Sequence, residues 1–135
     1  MIPYLKRHLS FSFAAKLMLI LFGAVVVFHL LVLLQVLPYS IVWGGKLNSV
    51  EQMRSMETVS ICINLFMILV VLLRAQLIRL DLRPLFLQVV MGLMCALFVL
   101  NTLGNLFSEN LFERLVFTPL TLLLAVLCFR LTLKE

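Results

Sequence analysis

Four long apolar segments, separated by short stretches that carry charges and prolines, constrain this chain more than any other feature of its sequence. Each is close to the roughly 20 helical residues that cross a hydrocarbon core of about 30 Å. We expect helices at about 17–37, 50–78, 85–105 and 110–133. The sequence therefore predicts an all-α, polytopic membrane protein with a single transmembrane domain, 1–135, built as an antiparallel bundle of four transmembrane helices.

Local signals mark the ends of these helices. Pro38 should end the first helix, because a proline cannot continue the hydrogen bonds of a helix. Ser49, with Gln52 three residues further on, forms a capping box that suits the start of the second helix. Pro84 is favourable at a first helical position, where its missing N–H needs no partner. Pro119 should kink the last helix instead of ending it, since a stop there would leave too few residues to span.

Composition excludes several classes of protein. Hydrophobic residues make up 64% of the chain, whereas soluble domains contain about 45–50%, so we expect membrane lipids as partners. The net charge of +5 does not indicate nucleic acid, because basic residues that flank apolar segments ordinarily set the orientation of a membrane protein. The cysteines are isolated within apolar segments, which favours packing residues over a disulfide framework or a thiolate metal site.

The distribution of basic residues predicts how the chain is oriented in the membrane. With four spans both termini lie on one side, and eight basic residues share that side: Lys6, Arg7, Lys16, Arg74, Arg79, Arg83, Arg130 and Lys134. Three lie on the other side: Lys46, Arg54 and Arg114. Because basic loops stay in the cytoplasm, both termini should be cytoplasmic in a bacterial inner membrane.

Polar side chains within the spans form a second pattern, and most of them fall toward the outer half of the predicted bundle. At about 100° per residue, Glu57, Ser60 and Asn64 occupy an arc of roughly 60° on the second helix. Asn101 and Asn105 are about 40° apart on the third helix. Polar groups facing lipid would cost roughly a few kcal/mol, so these stripes should face the bundle. The candidate ligand-binding residues, with one from the first helix and one from the first outer loop, are Glu57, Ser60, Asn64, Asn101, Asn105, His29 and Trp43.

Two interpretations of these residues stay open at the level of sequence. The polar groups could hydrogen-bond between helices, at about 0.6 kcal/mol per bond on average. Alternatively, they could line an outward-facing pocket, which their shared depth and the carboxylate among the amides favour. His29 could likewise be a structural residue or a ligand-binding one. Trp43, followed by Gly44 and Gly45, suits an interfacial anchor before a flexible turn.

Small residues predict close helix packing on the third helix. Gly92 and Ala96 form a small-xxx-small pair on the face opposite Asn101 and Asn105, and such pairs let a second helix approach closely. The partner would be either the fourth helix or a second copy of the chain in a homo-oligomer.

Two stretches of the chain, IVWGGKLNSVEQMRSMETVSICINL and LNTLGNLFSENLFE, resemble segments of uncharacterised small bacterial four-helix integral membrane proteins. The resemblance covers the first outer loop, the second and third helices and the start of the fourth. It implies the four-helix architecture, with the WGG loop placed beside the Glu57 stripe and beside Asn101 and Asn105. No activity is attached to that group, so the resemblance implies no catalytic residue.

Several functions are disfavoured by the residues present. A quinone-linked disulfide oxidoreductase needs paired outer cysteines, which this sequence does not have. Haem-binding bundles usually take axial histidines from facing helices, and the predicted spans contain only His29. Small multidrug exporters carry a glutamate deep in the first helix, where this chain has that histidine. A lone glutamate and a lone histidine are weak evidence for an enzyme, so we expect no catalytic residue, cofactor or metal.

The leading prediction is a non-enzymatic membrane protein whose outward-facing polar face binds a lipid headgroup, a small molecule or a partner protein. The alternative is a protomer of an oligomeric small-solute transporter or channel. The first is favoured because the inner half of the predicted bundle offers Gln88 and little else for a continuous polar path.

Overall fold

A computed structural model of the chain describes residues 1–133, which form helices and connections without any strand. A short helix, α1 (Ile2–His8), precedes four long helices. These are α2 (Phe11–Leu33), α3 (Val50–Arg74), α4 (Pro84–Leu106) and α5 (Thr118–Thr132), the last preceded by a π-helical turn at Glu113–Phe117. Each is long and apolar enough to cross a membrane when α5 is counted with that turn. The predicted all-α bundle of four transmembrane helices is therefore confirmed for the described residues.

The long helices run alternately in opposite directions, so the bundle has two ends. The loop end carries the connections 34–49 and 107–112, whereas the terminal end carries α1, the connection 75–83 and the end of α5. Lys134, which was counted in the predicted orientation, lies outside the described residues.

The first span begins earlier than predicted, at Phe11 instead of residue 17. Ser10 is its N-cap, because the side-chain oxygen accepts a hydrogen bond from the Phe13 N–H at 3.2 Å. Such a cap satisfies one of the N–H groups that the first turn of a helix leaves without a partner. The prediction followed only the uninterrupted apolar run and so missed the cap.

The first two spans end earlier than predicted because a glutamine takes the left-handed conformation after the last turn of each. Gln35 follows α2 with a φ of 59°, and Gln76 follows α3 with a φ of 56°. The N–H of the next residue, Val36 or Leu77, donates to a carbonyl in the last helical turn at 2.9 or 3.0 Å. This is the Schellman arrangement, which glycine usually provides. The predicted ends at residues 37 and 78 were too late, since neither turn contains the glycine that announces the motif.

Prolines have the positions expected of them in the last two spans. Pro84 opens α4, whose range differs by one residue at each end from the predicted 85–105. Pro119 lies at the start of α5, directly after helical residues, and does not end the helix; the kink stays a prediction. Regular geometry is interrupted just before Pro119, at the π-helical turn in which the Thr118 N–H donates to the Glu113 carbonyl. Such turns are among the usual causes of helix bending.

Packing pairs α2 with α3 and α4 with α5, and the two pairs meet mainly where α2 contacts α5. α3 and α4 touch only slightly. An apolar core fills the middle of the bundle and its terminal end, and its most buried members include Ala14, Met18, Phe22, Val71, Met91, Cys128 and Leu131. The four long helices therefore share one core, although α3 and α4 pack against each other only slightly.

The small residues of α4 do not mediate close packing within the protomer. A Cβ added at Gly92 would meet nothing within 4 Å, and Ala96 is exposed. α4 packs on α5 through another face, where the Cys128 thiol donates to the Met91 carbonyl at 3.2 Å. The fourth helix is thus not the partner of the small-residue face, and a homo-oligomer through Gly92 and Ala96 stays a prediction.

Candidate functional site

A cavity of about 660 Å³ lies between α3 and α4 near the loop end. Its wall contains six of the seven residues predicted to bind a ligand: His29, Trp43, Ser60, Asn64, Asn101 and Asn105. α2 supplies the histidine and the connection 34–49 supplies the tryptophan, while the remaining four come from α3 and α4. One cavity therefore gathers polar side chains from four parts of the chain.

Parts of the cavity wall are exposed on the apolar outer surface of α3 and α4. Ile63 of α3 and Leu100 of α4 both line it and are 44% and 65% exposed. Phe107, at the end of α4, lines it as well and is 80% exposed. Toward the terminal end, the apolar side chains of Met67 and Leu124 form its floor. A molecule could therefore enter from the membrane through the gap between α3 and α4.

Glu57, the seventh predicted residue, lies behind the cavity wall. Its side chain is fully buried, and its two oxygens have separate partners. Oε2 is 2.6 Å from Nδ1 of His29, and Oε1 accepts a hydrogen bond from the Trp43 indole N–H at 3.1 Å. An ionised carboxylate can accept at both oxygens, so this single side chain joins α3 to α2 and to the first loop. Glu57 thus positions two residues of the wall, a role that the helical stripe alone did not predict.

The segment Trp43–Gly45 forms a tight left-handed turn. All three residues have positive φ, 54° for Trp43, 67° for Gly44 and 70° for Gly45. A positive φ is rare for a bulky residue such as tryptophan, and the bond from its indole to Glu57 holds it in place. At Gly45, an added Cβ would come within 3.2 Å of the Ser40 carbonyl oxygen. The two glycines therefore supply the positive φ angles that this turn requires.

Glu113 is a second buried carboxylate that the sequence did not single out as a site residue. One of its oxygens accepts from the Gly44 N–H at 2.9 Å, and the other accepts from the Ser108 hydroxyl at 2.6 Å. Nearby, the Asn110 side chain donates to the Ser40 carbonyl at 2.7 Å. The two connections of the loop end are therefore bound to each other. The available signal was an acid close to an apolar helix start, where burial of a carboxylate requires donors.

The hydrogen bonds of the remaining wall residues bear on the choice between interhelical bonding and a pocket. Asn105 donates to Thr121 of α5 at 3.5 Å, which is a long bond between helices. Asn64 instead donates to the Ser60 carbonyl of its own helix at 2.8 Å. The Asn101 side chain has no hydrogen-bond partner among residues 1–133, although it faces the cavity. These groups hold the helices together only weakly, so much of their hydrogen-bonding capacity remains available to a ligand.

The described part of the chain contains no candidate metal site, because no three His, Cys, Asp or Glu side chains of residues 1–133 are grouped to hold an ion. What the cavity offers instead is hydrogen bonding from amides, hydroxyls and one imidazole above an apolar floor, with Lys46, Glu109 and Glu113 also in its wall. No family model, curated protein or solved structure matches the chain. The resemblance to small bacterial membrane proteins stays a prediction, and function has to be argued from the cavity.

Proposed function

We propose that this protein binds an amphiphilic molecule, a membrane lipid or a lipid-like small molecule, in the cavity between α3 and α4. The observation that carries the proposal is the combination of a polar wall with a lateral opening. The polar head would lie among Asn64, Asn101 and Asn105, which line the cavity. The apolar tail would leave through the gap, where Ile63 and Leu100 are exposed.

The size and chemistry of the cavity suit such a ligand. Its volume of about 660 Å³ falls within the range of about 300–1,000 Å³ that is usual for small-molecule sites. Each asparagine amide offers both donors and an acceptor, so the wall can bind an uncharged polar head in several orientations. Replacing lipid contacts by cavity contacts costs an apolar tail little, because both surroundings are apolar.

Transport and catalysis find less support in the described residues. Ala14, Met18, Met91 and Cys128 are fully buried between the cavity and the terminal end, so a polar path does not continue through the protomer. Conduction, the alternative function, would need a path between protomers. Catalysis would need a nucleophile or a second polar group held against His29, and Glu57 is the only described side chain that hydrogen-bonds to it.

We further propose that the cavity opens in the outer leaflet of a bacterial inner membrane, with both termini in the cytoplasm. The support is the asymmetry of basic residues between the two ends of the bundle. Two buried acids, Glu57 and Glu113, lie at the opposite end from most of the positive charge, which agrees with that orientation.

Mass spectrometry of the protein extracted with its native lipids tests the proposal. Gly104 lines the cavity, and a Cβ added there would meet nothing within 4 Å, so Gly104→Leu should fill the cavity without displacing a neighbour. We expect the wild-type protein to retain an amphiphile that Gly104→Leu loses.

Gly23→Leu is the matched control. Gly23 is also helical and has open space around it, but it is not part of the cavity wall. This variant should keep the bound molecule. Equal retention by the wild-type protein and Gly104→Leu, or no retained amphiphile in the wild type, would contradict the proposed function.

A further inference from the structure

We infer that the cavity selects amphiphiles whose uncharged head carries a hydroxyl group, and that Nε2 of His29 is the acceptor for that hydroxyl. The inference rests on the proposed function and names the chemical class of its ligand. It follows from the way Glu57 and Trp43 hold the imidazole ring.

The protonation pattern of the ring follows from its partner. Glu57 already accepts the Trp43 indole N–H at one oxygen, and its other oxygen lies 2.6 Å from Nδ1 of His29. A carboxylate accepts hydrogen bonds, so Nδ1 carries the proton that is donated to it. In a neutral imidazole the other nitrogen, Nε2, is then an acceptor. Because Glu57 accepts the proton of Nδ1, Nε2 of His29 can bind a hydrogen-bond donor.

The direction of Nε2 follows from the position of the ring. Nδ1 lies on the side of Glu57, which is not part of the cavity wall, whereas His29 itself lines the cavity. We therefore infer that the edge of the ring away from Glu57, which carries Nε2, is the edge that reaches the cavity. This atom has no hydrogen-bond partner among residues 1–133. Once a ligand displaces the water of the cavity, this acceptor is satisfied only by a donor that the ligand brings.

The charged residues around the cavity indicate whether it binds an anionic, a cationic or an uncharged head group. Glu109 and Glu113 line the cavity with Lys46, and Glu57 lies just behind the wall, so an anionic head would meet more negative than positive charge. An ammonium head would need a free carboxylate in this desolvated site. The two buried carboxylates, however, already accept hydrogen bonds, Glu57 from His29 and Trp43 and Glu113 from Gly44 and Ser108. Glu109, the other acid of the wall, is exposed, so water weakens its attraction for an ammonium group. An uncharged hydroxyl, which can also bond to the asparagine amides, fits best.

The protein contains its own probe for this inference, because Trp43 is the only tryptophan of the chain and lines the cavity. Its emission should change when a ligand displaces water beside it. We would titrate the protein in phosphatidylcholine nanodiscs with oleyl alcohol and with its methyl ether, which has the same chain but no hydroxyl donor. The Gly104→Leu variant supplies the baseline for partitioning of either compound into the bilayer.

We expect saturable binding of oleyl alcohol that is about tenfold tighter than that of the ether, because the ether leaves the Nε2 acceptor without a donor. Oleate and oleylamine should both bind more weakly than the alcohol. Equal binding of alcohol and ether, with both blocked by Gly104→Leu, would overturn the hydroxyl inference and leave the proposed function standing. Binding of none of the four compounds above the Gly104→Leu baseline would reject both. Tighter binding of a charged compound would overturn the uncharged head.

Two variants separate the role of Nε2 from a merely structural one. In His29→Asn, the amide nitrogen can still donate to Glu57 in place of Nδ1, but the Nε2 acceptor is gone, so the preference for alcohol over ether should fall to about onefold. In Glu57→Gln, the amide N–H₂ would donate to Nδ1 and leave the proton on Nε2, which becomes a donor. The preference should disappear there too, although His29 is intact. A preference kept at tenfold in Glu57→Gln would show that Nε2 is not the acceptor, even if His29→Asn did not fold.

Discussion

The two ends of this bundle are built by different means. At the loop end, two buried carboxylates, Glu57 and Glu113, bind groups from other parts of the chain. At the terminal end, two arginines form the hydrogen bonds between distant segments. Arg130 Nε donates to the Leu9 carbonyl at 2.7 Å, and Arg74 Nε donates to the Leu131 carbonyl at 2.8 Å. Between the two ends lies an apolar core with little polar bonding between helices.

The contrast shows how a membrane protein can leave room for a ligand. Apolar side chains gain little from leaving lipid for one another, so helices in a membrane associate through close packing and hydrogen bonds. The core uses close packing, whereas two smaller cavities of about 490 and 460 Å³ border the connection 75–83 at the terminal end and are lined partly by the basic residues Lys16, Arg74 and Arg79. α3 and α4 have little packing between them, and the hydrogen bonds of the loop end keep the cavity wall in place. Predictions that act on one end and spare the other test this division.

The largest expected difference concerns which side of the membrane each end faces. Lys46→Cys, at the loop end, should react with a membrane-impermeant maleimide added to intact cells. Arg79→Cys, at the terminal end, should react only after the membrane is permeabilised. The unsubstituted chain measures the background from its own cysteines. Reaction of position 46 from the cytoplasmic side alone would reverse the orientation.

Removing the Glu57 carboxylate should have the largest effect on stability at the loop end. Glu57→Ala leaves the His29 ring and the Trp43 indole N–H without their buried partner, and each buried donor left unsatisfied costs about 1–3 kcal/mol. We expect a lower thermal midpoint together with a red shift of Trp43 emission, because the loop is released. Glu51→Ala, at an exposed position of the same helix, is the control and should change neither. A stable Glu57→Ala variant with unchanged emission would mean that the carboxylate does not hold the loop.

A substitution in the apolar core should lower stability without changing the conformation of the connection 34–49. Phe22 is fully buried and packs near the Phe98 ring, with 5.8 Å between ring centroids. Phe22→Ala opens a cavity in the core and should lower stability by about 3 kcal/mol. Trp43 emission in the folded protein should stay at the wild-type wavelength. A shift as large as that of Glu57→Ala would show that core and loop are not independent.

Glycine-to-alanine changes should have opposite signs at the two kinds of site. Gly45→Ala places a Cβ at a φ of 70° and at 3.2 Å from the Ser40 carbonyl oxygen, which should cost about 1–2 kcal/mol. Gly23→Ala in α2 meets nothing within 4 Å and should stabilise the helix by about 0.5–1 kcal/mol. Thermal midpoints measured side by side give the comparison. A neutral Gly45→Ala would argue against a rigid left-handed turn.

The smallest effect is expected at Gly92. Because the space around it is open within the protomer, Gly92→Leu should leave protomer stability within about 0.5 kcal/mol of the wild type. Native mass spectrometry of the wild type and this variant tests the homo-oligomer. An oligomer that Gly92→Leu dissociates would establish the predicted interface, whereas identical assembly states would exclude it.

The amino-acid sequence by itself determined the number of spans, the fold class and the depth of the polar side chains. These follow from segment length, hydropathy and the 3.6-residue period of a helix, which are properties of short stretches. For the same reason, Asn101 and Asn105 could be assigned to one stripe and His29 to a similar depth before any packing was known. Pro84 was placed correctly because its effect on a helix start is local too.

Only the tertiary structure decided how these pieces meet. Gln35 and Gln76 end their helices in a conformation that nothing in their own identity announces, because glutamine has no intrinsic preference for positive φ. Glu57 lies behind the cavity wall because its two oxygens contact His29 and Trp43, which are distant from it in sequence. The cavity itself exists because α3 and α4 barely touch, and contact between helices depends on all four packing together, which no single segment encodes.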